Sequence, residues 1–424
     1  MLLVAILFIV FLAAGMPIAY AMGIAGMAFF FQHPELPFTM VVQLPISQTQ
    51  NFTLLAVPLF IIAGNLMNAS GITTRLIRLA SVLTGHMRGG LAQVNVVLST
   101  LMGGVSGSAI ADASMEARIL APAMIKQGYS PGFTANCTAW TALITATIPP
   151  GVGIILYGTT GEVSIGKLFA AGIFVGLFLM VVYMTTVWTI SKQRGYKPER
   201  TKASLRERLA AIKENIWALM FPVLLLVGLR VGIFTPSEVG SFACVYAILV
   251  GVFAYKELTL KKLIHTLASS VLDVGGIMFI IALCGIFGYG IPFERIPDLL
   301  SGAILGLSMN RYIVMFIIIA ILLVLGMFID GSVIILLFTP IFLPLAVKVG
   351  WDPVHFGILF CTIITAGNMT PPVGLAMSAV CTVLDVPISE YIKEMWPWVF
   401  ATVLAISVLI FFPNLVLAIP RLLF

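Results

Sequence analysis

Gly104-Val-Ser-Gly-Ser-Ala-Ile-Ala-Asp112 interrupts one hydrophobic stretch of the chain, and Asn368-Met-Thr-Pro-Pro-Val-Gly374 interrupts another. Both breaks have counterparts at one fixed spacing in the other half. Pro122 and Pro344 lie 222 residues apart. So do Lys126 and Lys348, Gly128 and Gly350, Pro131 and Pro353, Pro149 and Pro371, and Pro150 and Pro372. Gly104 and Gly326 extend the register. Lipid cannot bond the backbone groups that such breaks free, so the broken backbone must be buried in protein or line a wet cavity. Matching breaks in two halves of a membrane protein point to a transport site.

Composition makes the membrane reading firm. The chain has 424 residues, 60% hydrophobic and 9% charged, with mean hydropathy +1.11. Soluble domains carry about 25% charged residues. The formal charge of +6 does not suggest nucleic acid, because the basic residues fall in short loops between spans. The five Cys sit in apolar segments without metal-ligand spacing and read as packing residues. Residues 1–31 have no basic leader region and no clear cleavage site, so they read as one retained span.

Hydropathy and charge then divide the chain. The first repeat covers 1–190: scaffold spans in 1–68, an amphipathic interfacial arm at 72–88, a re-entrant hairpin at 91–126 and a broken span at 132–160. Residues 191–235 form a basic loop and a linking span. The loop carries Lys192, Arg194, Lys197, Arg200, Lys202, Arg206, Arg208 and Lys213 against Glu199 and Glu207, which places it in the cytoplasm. The second repeat covers 236–424, with a hairpin at 311–348 and a broken span at 354–380. Loop 32–50 has no Lys or Arg, whereas its counterpart 254–272 has Lys256, Lys261 and Lys262. Loop 72–88 has Arg75, Arg78 and Arg88, whereas 294–310 has only Arg295, beside Glu294 and Asp298. Matching loops therefore face opposite sides, and the repeats are inverted. The N-terminus is expected in the cytoplasm. The fold class is an all-α polytopic membrane protein with two re-entrant helical hairpins and two broken helices.

The breaks carry the chemistry. Ser106-Gly107-Ser108 pairs with Thr147, Pro149, Pro150 and Gly151. Asp330-Gly331-Ser332 pairs with Asn368, Thr370, Pro371, Pro372 and Gly374. A double Pro leaves carbonyls without intrahelical donors. Hydroxyls and free carbonyls are hard ligands for a cation such as sodium, while half-helix N-termini favour an anion. Two sodium-like sites flanking one anionic substrate follow. Asp330 reads as a cation ligand or proton carrier, or as the cap of the return helix; the readings are compatible. Asp112 and Glu116 share a helix face. They could form a proton path, but pairing with Arg118 or with the hairpin's partner helix is favoured. Asp273 reads as interfacial. No nucleophile–base pair, metal cluster or Walker loop occurs in the sequence, so no enzyme and no cofactor is expected.

Gly104–Asp112, Leu120-Ala-Pro-Ala-Met-Ile-Lys-Gln-Gly-Tyr129, Thr235-Pro-Ser-Glu238 and Asn368–Gly374 together resemble the large membrane subunit of tripartite ATP-independent periplasmic (TRAP) transporters. The resemblance covers essentially the whole chain. It implies a bacterial inner-membrane permease of the elevator type, driven by sodium and importing an organic acid of the C4-dicarboxylate, sialic acid or other sugar acid class. It also implies a periplasmic substrate-binding protein and a separate small four-span membrane subunit as partners, with membrane lipid around them. Ser106, Gly107 and Ser108 with Thr147, Pro149 and Pro150 would carry one sodium site; Asp330, Gly331, Ser332, Asn368 and Thr370 would carry the other. Ser108, Gly151, Thr370, Pro371, Pro372 and Gly374 would meet the substrate. Gly151 stands where the resemblance leads one to expect Ser, so it offers a backbone carbonyl only. A stand-alone sodium-coupled dicarboxylate or citrate carrier of the same plan is the alternative.

Overall fold

A chain this apolar must satisfy its own amides, and it does so almost entirely as helices. The structure, a computed structural model, describes residues 1–232 and 234–424, and no strand occurs among them. The first half runs through α1 (Leu2–Ala13), α2 (Ile18–Gln32), α3 (Met40–Thr49), α4 (Ala56–Ala69), α5 (Ile72–Thr84), α6 (Gly90–Gly103), α7 (Ala109–Ile119), α8 (Ala121–Lys126), α9 (Pro131–Thr147), α10 (Val152–Thr160) and α11 (Ile165–Arg194). The basic connection forms α12 (Leu205–Glu214) and α13 (Ile216–Arg230). The second half follows as α14 (Pro236–Leu249), α15 (Leu260–Phe293), α16 (Ile296–Leu307), α17 (Arg311–Gly326), α18 (Gly331–Lys348), α19 (Pro353–Gly367), α20 (Leu375–Leu384), α21 (Ile388–Glu394), α22 (Trp396–Phe411) and α23 (Pro413–Leu423). Among the described residues, 5 helices are long and apolar enough to cross a membrane, or up to 9 if each bent pair is one span. The protein is a multi-pass membrane protein.

Local geometry repeats at the spacing of 222. Gly128 and Gly350 both adopt left-handed backbone, with φ of +90° and +88°. Each lets the next amide reach back over the helix end: Tyr129 N donates to Met124 O at 3.2 Å, and Trp351 N to Ala346 O at 2.9 Å. Glycine belongs at such helix ends because a Cβ is penalised there. Ser130 and Asp352 then cap α9 and α19, each with Pro at the first helical position. The Pro149–Pro150 and Pro371–Pro372 bonds are both cis.

The two hairpins, α6–α7 and α17–α18, enter the bundle from opposite ends. At the base of the first, Gly89 N donates to Tyr196 O at 3.3 Å and Ser130 N to Tyr196 Oη at 3.1 Å, beyond the end of α11. At the base of the second, Trp351 Nε1 donates to Arg311 O at 3.2 Å, and Tyr312 stacks on Phe411, at the end of α22, at 5.3 Å. α11 and α22 run antiparallel: Trp398, early in α22, lies 5.9 Å from Phe133 beside Tyr196, and Thr402, further on, bonds Tyr183, earlier in α11.

Around the hairpins, α4 packs along α14 and α15 along α2. Small residues let the axes approach: a Cβ at Gly26 would sit 2.8 Å from the Phe287 amide nitrogen, and one at Gly240 would sit 2.9 Å from Leu59 Cβ. Such contacts suit lipid, where close van der Waals packing drives association. The amphipathic arm is α5, which buries Ile72, Leu76, Leu79 and Val82 and turns Arg75 to Glu257 and Arg78 to Glu214. Thr235 and Glu238 form a capping box that starts α14.

Three sequence expectations change. Residues 1–31 do not make one span. Gly15 takes φ +80°, Pro17 follows, and α2 turns back alongside α1. Phe8 meets Phe287 edge-on at 5.4 Å between ring centroids, and both Met1 and His33 come to Glu294 Oε1. The N-terminus thus shares an end of the molecule with residues 33–35 rather than lying opposite them, as a single crossing would have it. Hydrogen bonds from Glu35 and Glu294, the former the stronger cause, hold the His33 imidazole above its usual pKa. Second, α15 begins at Leu260 and spans 34 residues, so Lys261, Lys262 and His265 belong to a helix rather than a loop. Third, residues 396–419, whose hydropathy reads as one last span, bend by 62° between α22 and α23.

Single cysteines at positions 2 and 35, in a background lacking the five native Cys, should react with an impermeant maleimide from the same side of the membrane. Labelling from opposite sides would restore the single-span reading.

Candidate functional site

Each hairpin turns where a polar tip must find partners away from water. In the first, Gly107 takes φ +64°, and Ser108 caps α7, its Oγ accepting from Ala111 N at 3.5 Å. The tip presses on the double-Pro break: a side chain at Gly107 would collide with the Pro150 carbonyl oxygen, and Val152 N donates to Gly107 O at 3.4 Å. Beyond the break, α10 turns by 43° from α9. In the second, Gly326 crosses the end of α19 so closely that a Cβ would stand 2.7 Å from Ile364 O. Gly374 N donates to Met327 O at 2.9 Å, and Ala376 N to Asn368 O at 3.0 Å. Asp330 caps α18, with Oδ1 accepting from Ser332 N at 2.9 Å.

Both tips open onto one cavity of about 380 Å³. Ser106, Gly107 and Ser108 line one wall; Asp330, Gly331 and Ser332 line another, with Asn368 beside them. The N-termini of α7 and α18 therefore end at the same space, which favours negative charge between them. The Asn368 Oδ1 atom is buried without a hydrogen-bond partner, an acceptor available to a cation. Thr147, Pro149, Pro150, Gly151, Thr370, Pro371, Pro372 and Gly374 do not line this cavity; they lie in the breaks behind the tips. The Thr147 and Thr370 hydroxyls donate to Leu143 O and Ala366 O, which occupies their protons but leaves lone pairs free.

Four polar lining residues, Asn65, Asn68, Asp273 and Thr365, were not singled out as site residues. Asn65 and Asn68, on α4, face the cavity, and Asp273, on α15, faces it from the same wall. Asn65 Nδ2 donates to Asp273 Oδ2 at 2.9 Å and to Ser270 Oγ at 3.0 Å. Asp273, expected at the membrane interface, lies 13 residues into α15 and lines this cavity. Two Asn within one apolar stretch were the available signal for the other pair. The cavity wall contains no Lys, Arg or His among the described residues.

Residues 5–415 match the family model for the tripartite ATP-independent periplasmic transporter, DctM component. The chain belongs to the DctM family. This DctM chain is 34% identical over 411 residues to the sialic acid TRAP transporter large permease protein of Vibrio cholerae, covering 97% of this chain and 96% of that one. It is also 34% identical over 432 residues to the C4-dicarboxylate TRAP transporter large permease protein of Rhodobacter capsulatus, covering 98% of each. The Alcanivorax borkumensis YdaH transporter shares the fold, with a TM-score of 0.62, 13% identity and 88% of each chain covered.

Behind the first tip, the DctM chain buries two acids. Asp112 Oδ2 lies 2.5 Å from Thr145 Oγ1, and Glu116 accepts from Ser99 Oγ at 2.8 and 2.9 Å and from Asn95 Nδ2 at 3.0 Å. Arg118 is exposed and makes no ion pair among the described residues, so the expected pairing with it does not form. The acids instead join α7 to α6 and α9, the other arrangement the sequence allowed. Spacing alone could not choose, because Arg118 follows Glu116 by two positions and points elsewhere.

Two outcomes check this geometry. Gly107→Ala should lower the thermal midpoint, since left-handed backbone costs about 1–2 kcal/mol for a residue with a Cβ and the collision adds to it; Gly302→Ala, with nothing within 4 Å, should be neutral or slightly stabilising. Glu116→Leu should destabilise by roughly 2–3 kcal/mol, because Ser99 and Asn95 lose a buried acceptor. A wild-type midpoint in either Gly107→Ala or Glu116→Leu would contradict the packing described.

Proposed function

We propose that this chain is the large permease subunit of a sodium-coupled, binding-protein-dependent importer of a small organic acid in the bacterial inner membrane. The observation that carries the reading is the cavity between the two tips. It gathers two helix N-termini, several hydroxyls and the Asn368 amide, yet its wall offers no fixed cation. An organic anion bound there would meet N–H groups from α7 and α18, and it would also meet Asp330 and Asp273. Bound cations at the tips and breaks offset those carboxylates, so anion entry and cation binding favour each other. Sodium suits the ligand types, which are hydroxyl, amide and carbonyl oxygens with one carboxylate. Ser106, Gly107 and Ser108 with the 147–151 backbone would hold one ion; Asp330, Gly331, Ser332, Asn368 and Thr370 would hold the other.

The two relatives described carry the names of sialic acid and C4-dicarboxylate transporters, which supports an organic acid here. A large permease implies a small membrane subunit, and a periplasmic system implies a soluble binding protein that delivers substrate. The positive-inside rule assigns the end bearing 191–213 to the cytoplasm, and residues 1 and 33 then face the periplasm. The central cavity continues past Asn68 and Ser106 toward Thr73 and Ile119, on the cytoplasmic side by this reading. Hairpins packed on their own breaks form one body and α2, α4, α14 and α15 another, which suits an elevator movement of the first against the second. Membership of a family of large permease components leaves the stand-alone carrier unfavoured.

Proteoliposomes holding the chain with its partner subunits should take up substrate under a sodium gradient without ATP; equal uptake with choline in place of sodium would reject the coupling. Ser108→Ala should raise the sodium concentration for half-maximal uptake about fivefold, the equivalent of one hydrogen-bond-sized contact of about 1 kcal/mol. Asp330→Asn keeps a helix cap but loses the charge, and uptake normalised to expression should fall nearly to background. Full activity would leave Asp330 as a cap alone.

A further inference from the structure

A second cavity, of about 550 Å³, lies between the second hairpin and the outer halves of α1 and α15. Phe8, Phe287, Ile291, Leu299, Ile334 and Phe338 are among its walls, and every side chain that lines it among the described residues is apolar. It runs from Ile296 and Leu299 on α16, just beyond the end of α15, to Ile329 and Val333 at the hairpin tip. The hairpin tip lies inside the bundle and α16 at its end, so the cavity runs from the end of the bundle toward its middle, the direction in which an acyl chain lies in one leaflet of a hydrocarbon core about 30 Å thick. Its rim is open: Leu2 is 79% and Leu299 65% exposed. Next in sequence to the lining residues Ile296 and Leu299, Arg295 and Asp298 stand one turn apart at the start of α16, both exposed and without ion pairs among the described residues.

We propose that this cavity holds one acyl chain of a phosphatidylethanolamine, with Arg295 on its phosphate and Asp298 on its ammonium group. Water has no polar partner in such a space, and lipid is the solvent on its open side. A transmembrane helix is 10–12 Å across with its side chains; a leaflet's length of one displaces roughly 1,200 Å³ on that diameter, more than the cavity offers. An acyl chain is a single file of methylenes and fits. The opposite charges one turn apart match a zwitterion, whereas a lipid with an uncharged head beyond its phosphate would leave Asp298 facing only negative charge. The chain would lie on the seam between the second hairpin and α1 and α15. A hairpin that slides as proposed above would have to shear along it; this consequence rests on the transport reading, but binding of the lipid does not.

The test is lipid retention. The purified chain in detergent, stripped of lipid and then incubated with phosphatidylethanolamine or phosphatidylglycerol, is examined by native mass spectrometry. Wild type should retain one phosphatidylethanolamine in preference to phosphatidylglycerol. Leu337→Trp, which fills the cavity, should lower that occupancy at least tenfold. Arg295→Glu, at an exposed site that tolerates substitution, should lower it several-fold and remove the preference. No retained lipid, equal retention in wild type and Arg295→Glu, or equal retention of the two lipids would overturn the proposal. Lost uptake with intact lipid retention would count against the transport reading alone.

Discussion

Everything in this protein depends on how it satisfies the backbone groups that its four helix breaks set free. In lipid, each orphaned amide or carbonyl costs several kcal/mol. The chain meets this by packing each hairpin tip onto the broken helix of its own half. Val152 N reaches Gly107 O, and Gly374 N reaches Met327 O. These contacts need backbones to touch, which is why Gly107, Gly326 and Gly374 stand where they do. The same closeness brings the two caps, Ser108 and Asp330, to one cavity. Site and fold are therefore one solution to one constraint, and a change that loosens a tip loosens the ligand geometry with it.

The charge arrangement follows the same economy. On the transport reading proposed above, a fixed Lys or Arg at the cavity would bind an organic anion whether or not cations were present. Helix N-termini supply a weaker, oriented field, and carboxylates at Asp330 and Asp273 oppose an anion that arrives alone. Asp112 and Glu116 lie behind the tip, held by hydroxyls and an amide, and tie α7 to α6 and α9.

Much of this was legible in residue types that have only one structural use. Gly128 and Gly350, Pro131 and Pro353, and the two Pro pairs mark positions where backbone conformation decides the residue, so they survive at a fixed spacing when side chains do not. The tips were legible because polar residues at membrane depth have few other reasons to exist. What was not legible depended on long-range contacts. Gly15 and Pro17 could have been a kink within a span; only the edge-on contacts of Phe8 with Phe287 and of Phe29 with Tyr289 and Phe293, all on α15, make them a turn. Asp273 looked interfacial because hydropathy starts the span at 274, whereas the helix itself starts at Leu260. The Pro residues of the breaks were expected at the ligand surface, but they act one layer back, as the support on which the tips rest.

The long helix α15 carries one more implication. By the repeat spacing its counterpart is α3 with α4, and that counterpart is interrupted at residues 50–55, where Asn51 caps a short turn. Asp273 occupies the position of Asn51. It is followed by Gly275 and Gly276, and no neighbouring atom lies within 4 Å of where either Cβ would be. Glycine weakens a helix interior by about 1 kcal/mol, and nothing packs here to repay it. At the repeat spacing, then, one arm is interrupted and the other is a single continuous helix. Gly275 and Gly276 therefore give α15 a place where bending costs little, at the position where the other arm is already interrupted.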